Sequence, residues 1–392
     1  MSLNSTPAAD RLHIAIFGKR NAGKSSLLNA LTNQPLAIVS DVAGTTTDPV
    51  SKAMELLPLG PVLLIDTAGL DDTGTLGEMR IQKTMQVMRK TDIALLVTDA
   101  SHPLDAVETA LLETLRQREI PCVLVRNKCD LADSRTGAGI PVSAVTGEGI
   151  PALKQALVDA VPKEAERPLI RDLLQPLEQV VLVIPIDSAA PKGRIILPQQ
   201  QVLRDVLDAH ASAVVTQTTE LQETLARLGR APRLVVTDSQ AFAEVAAVTP
   251  PEVPLTSFSI LLARAKGNLK AIVAGAAAAD GLRDGDRVLI AEGCTHHRQC
   301  EDIGTVKLPK WLGAYTGKQL RFTFTSGTDF PDALQDYAMV IHCGGCMLNA
   351  REVRYRYALA AEQGVPMTNY GILIAHLKGI LQRSIAPFGE LL

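Results

Sequence analysis

Apolar residues occur in short uninterrupted runs between Leu12 and about Val161, and amphipathic stretches separate these runs. Runs without apolar/polar alternation are typical of strands buried on both faces. Helical patterns lie between them, as at 78–90 and 106–118. This βαβ order predicts a mostly parallel sheet covered by helices on both faces. The strand-like runs are 12–18, 62–66, 93–99 and 120–128.

The remainder of the chain continues in the same α/β manner. The segment VPKEAERP at 161–168 is charged and bracketed by proline, as domain boundaries often are. Strand-like runs near 180–187 and 233–238 alternate with helical segments, and the proline-rich 249–254 indicates another hinge. We therefore predict a loose leader, a first α/β domain, a linker, a small second α/β domain and a third α/β domain. Their residues are 1–10, 11–168, 169–179, 180–254 and 255–392.

Composition and charge exclude several classes of protein. Apolar residues make up 46% of the 392 residues and charged residues 21%, which is typical of an ordered globular protein. A net charge of −3 provides no general attraction for nucleic acid or an anionic membrane. No apolar run reaches the roughly 18 residues that a membrane helix needs, and no signal-peptide pattern precedes the first strand. We expect a cytoplasmic protein that binds neither nucleic acid nor membrane.

A phosphate-binding motif follows the first strand-like run. The sequence GKRNAGKS, from Gly18 to Ser25, fits G-x-x-x-x-G-K-S between a strand and an apolar helix pattern. Gly18 and Gly23 allow a tight turn whose N–H groups face phosphate oxygens, and the helix N-terminus adds a favourable dipole. Lys24 would reach the β- and γ-phosphates, and the Ser25 hydroxyl would bind Mg²⁺.

The motif DTAG ends the second strand-like run, at 66–69. Asp66 can hold Mg²⁺ through water, and the N–H of Gly69 can face the γ-phosphate. In this half of the domain the residues expected to contact nucleotide or Mg²⁺ are Gly18, Asn21, Ala22, Gly23, Lys24, Ser25, Ser26, Asp66 and Gly69.

Two later motifs predict recognition of guanine. In NKCD, Asp130 can accept hydrogen bonds from the N1 and N2 donors of guanine, an arrangement that adenine does not offer. Asn127 and Lys128 would brace this loop against the phosphate loop, and Ser143 and Ala144 of SAVTGEG would close over the base. The four motifs, in this order and at strand ends, resemble the G-domain of translation-factor-type GTPases. This resemblance implies that the first domain binds GTP and GDP.

Two details narrow the class of GTPase. Leu70 follows DTAG where Ras-like proteins carry a water-orienting Gln, so another group must orient the water. Asn21 and the sequence GTTTD at 44–48 resemble the K⁺-dependent GTPases of the tRNA-modifying MnmE type. This resemblance implies that Asn21 helps to bind K⁺, that Thr46 binds Mg²⁺ and that Glu78 activates water. A solvated residue in the first turn of a helix is the alternative interpretation of Glu78.

A second group of reactive side chains lies near the end of the chain, in CTHH at 294–297 and HCGGC at 342–346. Six cysteines are too few for a disulfide scaffold in a chain of this length, so this grouping indicates metal ligation in a reducing compartment. Zinc would be satisfied by Cys294, Cys343, Cys346 and one His. An iron–sulfur cluster would use the same three thiolates and leave one iron with another ligand. The spacing does not choose between the two metals.

A GTPase domain followed by C-x-H and a later H-C-x-x-C resembles the [FeFe]-hydrogenase maturation GTPase family HydF over essentially the whole chain. The resemblance implies a P-loop GTPase domain, a small α/β dimerisation domain and an α/β iron–sulfur cluster-binding domain. It also implies a [4Fe–4S] cluster on Cys294, Cys343 and Cys346 with an exchangeable fourth iron site. Candidates for that site are His296, His342, Glu301 and Cys300, although Cys300 is better explained as an uninvolved loop thiol.

The same resemblance implies a function. The protein would be a homodimeric scaffold and carrier that receives a diiron precursor from radical-SAM maturases and delivers it to apo-[FeFe]-hydrogenase. Its K⁺-stimulated hydrolysis of GTP to GDP would act as a switch. The alternative is an RNA-modification or ribosome-assembly GTPase with a structural Cys₃His zinc site, against which the net charge and the lack of a basic stripe argue. An autonomous redox enzyme is a third hypothesis, and the lack of apolar spans excludes a ferrous-iron transporter.

Overall fold

The computed structural model describes residues 6–33, 50–67, 69, 83–131, 137–162, 167–186, 195–294 and 302–391. The chain folds as two compact units, Met1–Glu164 and Ala165–Leu392. Strands and helices alternate in both units, so the predicted α/β class is confirmed. Within the described residues, one sheet lies in the first unit and two lie in the second.

The strands, numbered in chain order, are β1 (Leu12–Gly18), β2 (Val50–Leu56), β3 (Gly60–Asp66), β4 (Ile93–Asp99), β5 (Cys122–Asn127), β6 (Ile140–Pro141), β7 (Gln179–Val183), β8 (Ser212–Thr216), β9 (Leu234–Thr237), β10 (Leu255–Ser257), β11 (Arg287–Ala291), β12 (Arg321–Thr325), β13 (Met339–His342) and β14 (Met367–Asn369). The helices are α1 (Lys24–Thr32), α2 (Ala106–Gln117), α3 (Ile150–Asp159), α4 (Leu197–Asp208), α5 (Leu221–Arg227), α6 (Phe242–Val248), α7 (Phe258–Lys266), α8 (Leu269–Ala276), α9 (Leu308–Thr316), α10 (Ala350–Glu362), α11 (Tyr370–Leu377) and α12 (Leu381–Ile385). Residues 83–89 are also helical.

The sheet of the first unit has six strands in the order β2-β3-β1-β4-β5-β6. β1 lies between β3 and β4 and pairs with both in parallel. Both faces of these central strands are buried, which is why their sequences are uninterrupted apolar runs. β2 instead pairs antiparallel with β3 and exposes most of its residues, so the apolar pattern did not predict it.

Residues 6–10 differ from the predicted loose leader, because they are held against the first sheet. Ala8–Asp10 form a short 3₁₀-helix in which Ala9 is buried. The Arg11 Nε–H donates to the Thr6 carbonyl at 2.9 Å, and a ring nitrogen of His13 lies 2.8 Å from the Ala8 carbonyl.

The first sheet of the second unit has the order β10-β9-β7-β8, and all its strands are parallel. The predicted linker 169–179 contributes to the core of this sheet, because Ile170 and Leu174 are buried there. β10 pairs with β9 and extends the same sheet beyond the predicted domain end at residue 254. The proline-rich segment before β10 is therefore a loop inside this sheet domain.

The second sheet of this unit has the order β12-β11-β13-β14 and is also wholly parallel. β11 and β13 are neighbours, with Ala291 paired to His342. Both strands therefore end at one edge of the sheet, and the cysteine motifs follow directly from these ends. No helix in the described part of the chain is long and apolar enough to span a membrane.

Candidate nucleotide and metal sites

The phosphate loop leaves the end of β1 and enters α1 through two glycines that no larger residue could replace without movement. Gly18 has φ +151°, and a Cβ there would lie 2.2 Å from the Val97 carbonyl oxygen. Gly23 has φ +86°, and a Cβ there would lie 2.2 Å from the Asn127 Nδ2. The glycines of the motif are thus required by close packing on β4 and on the guanine motif as well as by backbone conformation.

Lys24 begins α1 and folds back over its own loop. Its Nζ donates to the carbonyls of Gly18 and Lys19 at 2.9 and 2.7 Å. The ammonium group is thereby directed into the loop at the positive end of the helix dipole, which is the arrangement that favours a phosphate group. Asn21 lies exposed on the same loop with φ 59°, a conformation in which Asn is enriched.

Ser25 and Asp66 form the polar pair expected to hold a divalent cation. The Ser25 hydroxyl donates to Asp66 Oδ2 at 2.9 Å. The other oxygen, Oδ1, is buried and has no hydrogen-bond partner among the described residues. Burial raises the pKa of Asp66 in spite of the Ser25 hydrogen bond and the nearby Lys24 charge. A cation such as Mg²⁺ fits this pair, because it would satisfy the buried oxygen and stabilise the ionised carboxylate.

Asn127 connects three of the four sequence motifs. Its Nδ2 donates to the Ala22 carbonyl of the phosphate loop at 2.9 Å, and its Oδ1 accepts from the Ala144 N–H at 3.1 Å. The amide is almost fully buried, so these two bonds are shielded from water. Ser143, also buried, accepts the Thr146 N–H at 3.1 Å and shapes the last loop.

Lys128 and Asp130 lie on the same loop, but Lys128 is paired with a carboxylate whereas Asp130 is exposed. Lys128 has φ 63° and its Nζ lies 2.8 Å from Asp99 Oδ2 at the end of β4. Burial disfavours ionisation of Asp99, but the hydrogen bonds from Lys128 and Ser101 outweigh it and lower its pKa to about 2. Asp130 is exposed, and its contact with a guanine base stays a prediction. The sequence motifs did not single out Asp99, although its position at the end of a strand-like run was a usable signal.

Several predicted site residues lie outside the described part of the chain. They are Thr46, Leu70, Glu78, His296, Cys300 and Glu301. Their roles stay predictions. Ser26 lies in the first turn of α1, and Gly69 is described just beyond the end of β3.

The sulfur of Cys343, in the second cysteine motif, contacts the residue that precedes the first motif. It accepts the Gly293 N–H at 3.0 Å and the Gly345 N–H at 3.3 Å, so the residue before Cys294 touches the first cysteine of HCGGC. Burial raises the pKa of the Cys343 thiol to about 11, against these two hydrogen bonds. A metal would therefore have to displace a tightly held proton, as metal binding to thiols generally does.

His342 has both ring nitrogens engaged. The Nδ1–H donates to the Cys343 carbonyl at 2.7 Å, and Nε2 lies 3.1 Å from Nη1 of Arg356, which can only donate. Burial, followed by the Arg356 charge, lowers the pKa of His342 to about 3, so the ring is neutral. As a fourth ligand His342 would first have to give up one of these hydrogen bonds.

The described residues contain no group of three or more His, Cys, Asp or Glu side chains arranged to hold a metal ion. Cys294, Cys343 and Cys346 are all described and half-buried, whereas 295–301 lie outside the described ranges. The two strands that precede the three cysteines end at one sheet edge, and main-chain N–H groups on sulfur are a feature that tunes iron–sulfur clusters. These residues fit a cluster through their donor chemistry and position at the edge.

Lys266, the last residue of α7, holds the HCGGC loop in place. Its Nζ donates to the carbonyls of Gly345 and Leu348 at 3.0 and 2.8 Å. Replacing Lys266 by Met is expected to lower the free energy of unfolding by about 2 kcal/mol, because hydrogen bonds from a charged group are lost. Thermal or urea unfolding measures the change. Lys270→Met, at an exposed position on α8, is the matched control, and equal losses in both variants would contradict this role.

Three family models match the chain. A model described as a 50S ribosome-binding GTPase matches residues 13–128. The Hydrogen maturase F dimerization domain matches 169–267, and the Hydrogen maturase F tetramerization domain matches 270–387. The first model covers the phosphate-loop, DTAG and NK positions, and the third covers all three cysteines of the candidate metal site.

Curated relatives match the first domain. The tRNA modification GTPase MnmE of Laribacter hongkongensis is 38% identical over 163 residues, which is 40% of this chain and 36% of the relative. GTPase Der of Rhizobium leguminosarum is 40% identical over 164 residues, which is 38% of this chain and 34% of the relative. The chain thus spans about a third of the length of these relatives. Among solved structures, Era of Aquifex aeolicus aligns at 18% identity and a TM-score of 0.36, covering 55% of this chain and 98% of that one.

Proposed function

The chain belongs to the HydF family, and on this premise we propose that it is a GTP-hydrolysing scaffold that carries a [4Fe–4S] cluster for hydrogenase maturation. The cluster would receive and release a diiron precursor made by radical-SAM maturases and destined for apo-[FeFe]-hydrogenase. We propose further that the protein works as a homodimer in the cytoplasm. The predicted domain limits stay part of this proposal, with the second domain widened to include Ile170 and β10.

The GTPase part of the proposal is supported by the way the motifs interlock. Asn127 bonds to the phosphate loop and to the last guanine loop, while Asp130 stands exposed beside them. Ser25 and Asp66 would hold Mg²⁺, which neutralises phosphate charge during phosphoryl transfer. Lys24 would bind the phosphates, and Gly69 would face the γ-phosphate. Thr46 and Glu78 complete the proposed catalytic group.

The single observation that carries the cluster proposal is the contact of Gly293 with the Cys343 sulfur. It links the residue before Cys294 to the second cysteine motif at the shared edge of β11 and β13, within the domain that the HydF model matches. Cys294, Cys343 and Cys346 would bind three irons and leave the fourth open, which suits a site that must accept and release a second iron unit. Glu301, His296 and His342 stay candidates for the fourth position.

Metal content separates this function from the RNA-modifying or ribosome-assembly alternative. Protein purified without oxygen and reconstituted with iron and sulfide is expected to absorb broadly near 400 nm and to bleach on reduction. Iron, zinc and acid-labile sulfide are measured per chain. A colourless protein that retains one zinc per chain would contradict the cluster proposal and favour the structural zinc site.

Potassium is expected to accelerate GTP hydrolysis more than sodium at equal ionic strength. Asn21 lies exposed on the phosphate loop, where by resemblance it would help to hold K⁺. The bound K⁺ would offset phosphate charge in place of an arginine finger. Initial rates in the two chloride salts measure the effect, and Asn21→Ala should abolish the difference. Arg20→Ala, at the neighbouring exposed position, is the control, and identical rates in both salts would remove the cation from the mechanism.

A further inference from the structure

Arg356 of α10 is the largest side chain in the described structure that is fully buried, with 0% of its surface exposed. A guanidinium carries its charge at every accessible pH and has five N–H donors. Burying it is costly unless the charge is paired and the donors are bound. The partners of Arg356 therefore indicate which part of the structure requires this buried charge.

Each end of the guanidinium has a defined partner. Nε donates to Glu352 Oε1 at 2.8 Å, one turn earlier on α10, and Glu352 is itself buried. Nη2 donates to the Gly327 carbonyl at 2.8 Å, and the Phe330 ring lies 4.9 Å from the guanidinium carbon. Nη1 donates to His342 Nε2 at 3.1 Å.

The last contact continues to the candidate metal site. The Nδ1–H of His342 donates to the carbonyl of Cys343. The sulfur of Cys343 in turn accepts the N–H of Gly293, the residue before Cys294. Because Arg356 can only donate, it fixes His342 as the Nδ1–H tautomer. The chain of bonds runs from Glu352 through Arg356 and His342 to the main chain of Cys343.

Stability alone does not explain this arrangement. A buried ion pair is often no more stable than well-packed apolar residues of similar volume, whereas removing one partner is strongly destabilising. The pair of Glu352 and Arg356 therefore indicates a functional role that apolar residues of the same volume could not fill. Through His342, this pair is hydrogen-bonded to the loop that begins at Cys343.

We infer that Arg356 is a positioning residue for the cysteine site, which orients the Cys343 loop through His342 and sets the reduction potential of the bound cluster by its buried charge. This inference rests on the proposed cluster-carrying function. The positive charge stabilises the reduced cluster, which carries one more electron, and so raises the potential. Glu352 opposes it with a negative charge of equal size.

Two neutralising substitutions should therefore shift the potential in opposite directions. Arg356→Gln leaves Glu352 uncompensated and is expected to lower the potential, whereas Glu352→Gln leaves Arg356 uncompensated and should raise it. We expect each shift to change the redox equilibrium at least tenfold, which is about 59 mV for one electron. Arg356→Lys keeps the charge and should restore most of the wild-type potential. A merely structural role would not produce opposite signs.

The experiment is a redox titration of the anaerobically reconstituted full chain, followed by absorbance and by the electron paramagnetic resonance of the reduced cluster. Circular dichroism first establishes that each variant is folded. If Arg356→Gln is not, the sign of the shift in Glu352→Gln still decides, with Arg356→Lys as the charge-conserving comparison. Arg287→Gln is the matched control, because Arg287 forms a surface pair with Asp336 at the opposite end of β11 from Cys294.

The outcomes separate this inference from the proposed function. A wild-type chain that binds no iron would overturn the proposed function and the inference with it. A wild-type chain that holds a cluster whose potential does not move in Glu352→Gln or in Arg356→Gln would overturn the inference alone. Shifts of the same sign in both variants would also overturn it, because they would reflect loosened packing.

Discussion

Replacing Asp130 by Asn is expected to transfer nucleotide preference from GTP to xanthosine triphosphate. The carboxylate would accept two hydrogen bonds from guanine, and an amide in its place would present a donor to a donor. Sites built to hydrogen-bond a substrate discriminate against a mismatched analogue by roughly 10⁴-fold. We expect a loss of that order in the ratio of GTP to xanthosine triphosphate affinity, measured by equilibrium binding of both nucleotides.

A matched carboxylate elsewhere in the domain controls for general effects of charge. Asp159 is exposed at the end of α3, and Asp159→Asn should leave both affinities unchanged. The Asp130 variant should also unfold at the wild-type temperature, because Asp130 is exposed and lies outside the network formed by Asn127. An unchanged GTP preference in Asp130→Asn would remove this residue from the nucleotide site.

The nucleotide loops could be predicted from the sequence because their chemistry is local. A phosphate loop needs glycines, a lysine and a hydroxyl within a few residues, and buried parallel strands need uninterrupted apolar runs. Gly18 and Gly23 are constrained in the structure as the motif requires. The edge strand β2 was missed for the converse reason, since most of its residues face solvent and carry no apolar signal.

The surroundings of the cysteines could not be predicted, because their contacts are distant in sequence. Arg356 and His342 are separated along the chain by a loop and the first part of α10, and no local spacing indicates that they bond. Lys266 reaches the HCGGC loop from a helix that belongs to the preceding domain model. Asp99 is tied to Lys128 in the same way across two strands. Such hydrogen-bond partners can be identified only from the folded structure, in which the ends of neighbouring strands lie close together.

Replacing Cys343 by Ala is expected to abolish cluster binding and to leave GTP hydrolysis near the wild-type rate. Cys343 would supply one of three thiolates, and its sulfur accepts the N–H groups of Gly293 and Gly345. Its loss would therefore remove both a ligand and the contact with the residue before Cys294. The nucleotide residues belong to the other compact unit. Iron content, absorbance near 400 nm and GTP turnover are measured on the same preparation.

Two further variants complete this test, Lys24→Ala in the phosphate loop and Cys122→Ala outside both cysteine motifs. Lys24→Ala should lose nucleotide binding yet assemble a full cluster, since Lys24 bonds to its own phosphate loop and belongs to the other compact unit. Cys122→Ala, a half-buried cysteine of β5 outside both motifs, should retain cluster and turnover. All three variants are then assayed for activation of apo-hydrogenase, which should fail for Cys343→Ala and Lys24→Ala and persist for Cys122→Ala.

A full cluster in Cys343→Ala would overturn the ligand assignment. Lost GTP turnover in Cys343→Ala would instead show that the metal site supports the fold of the whole chain, because no shared chemistry connects the two sites.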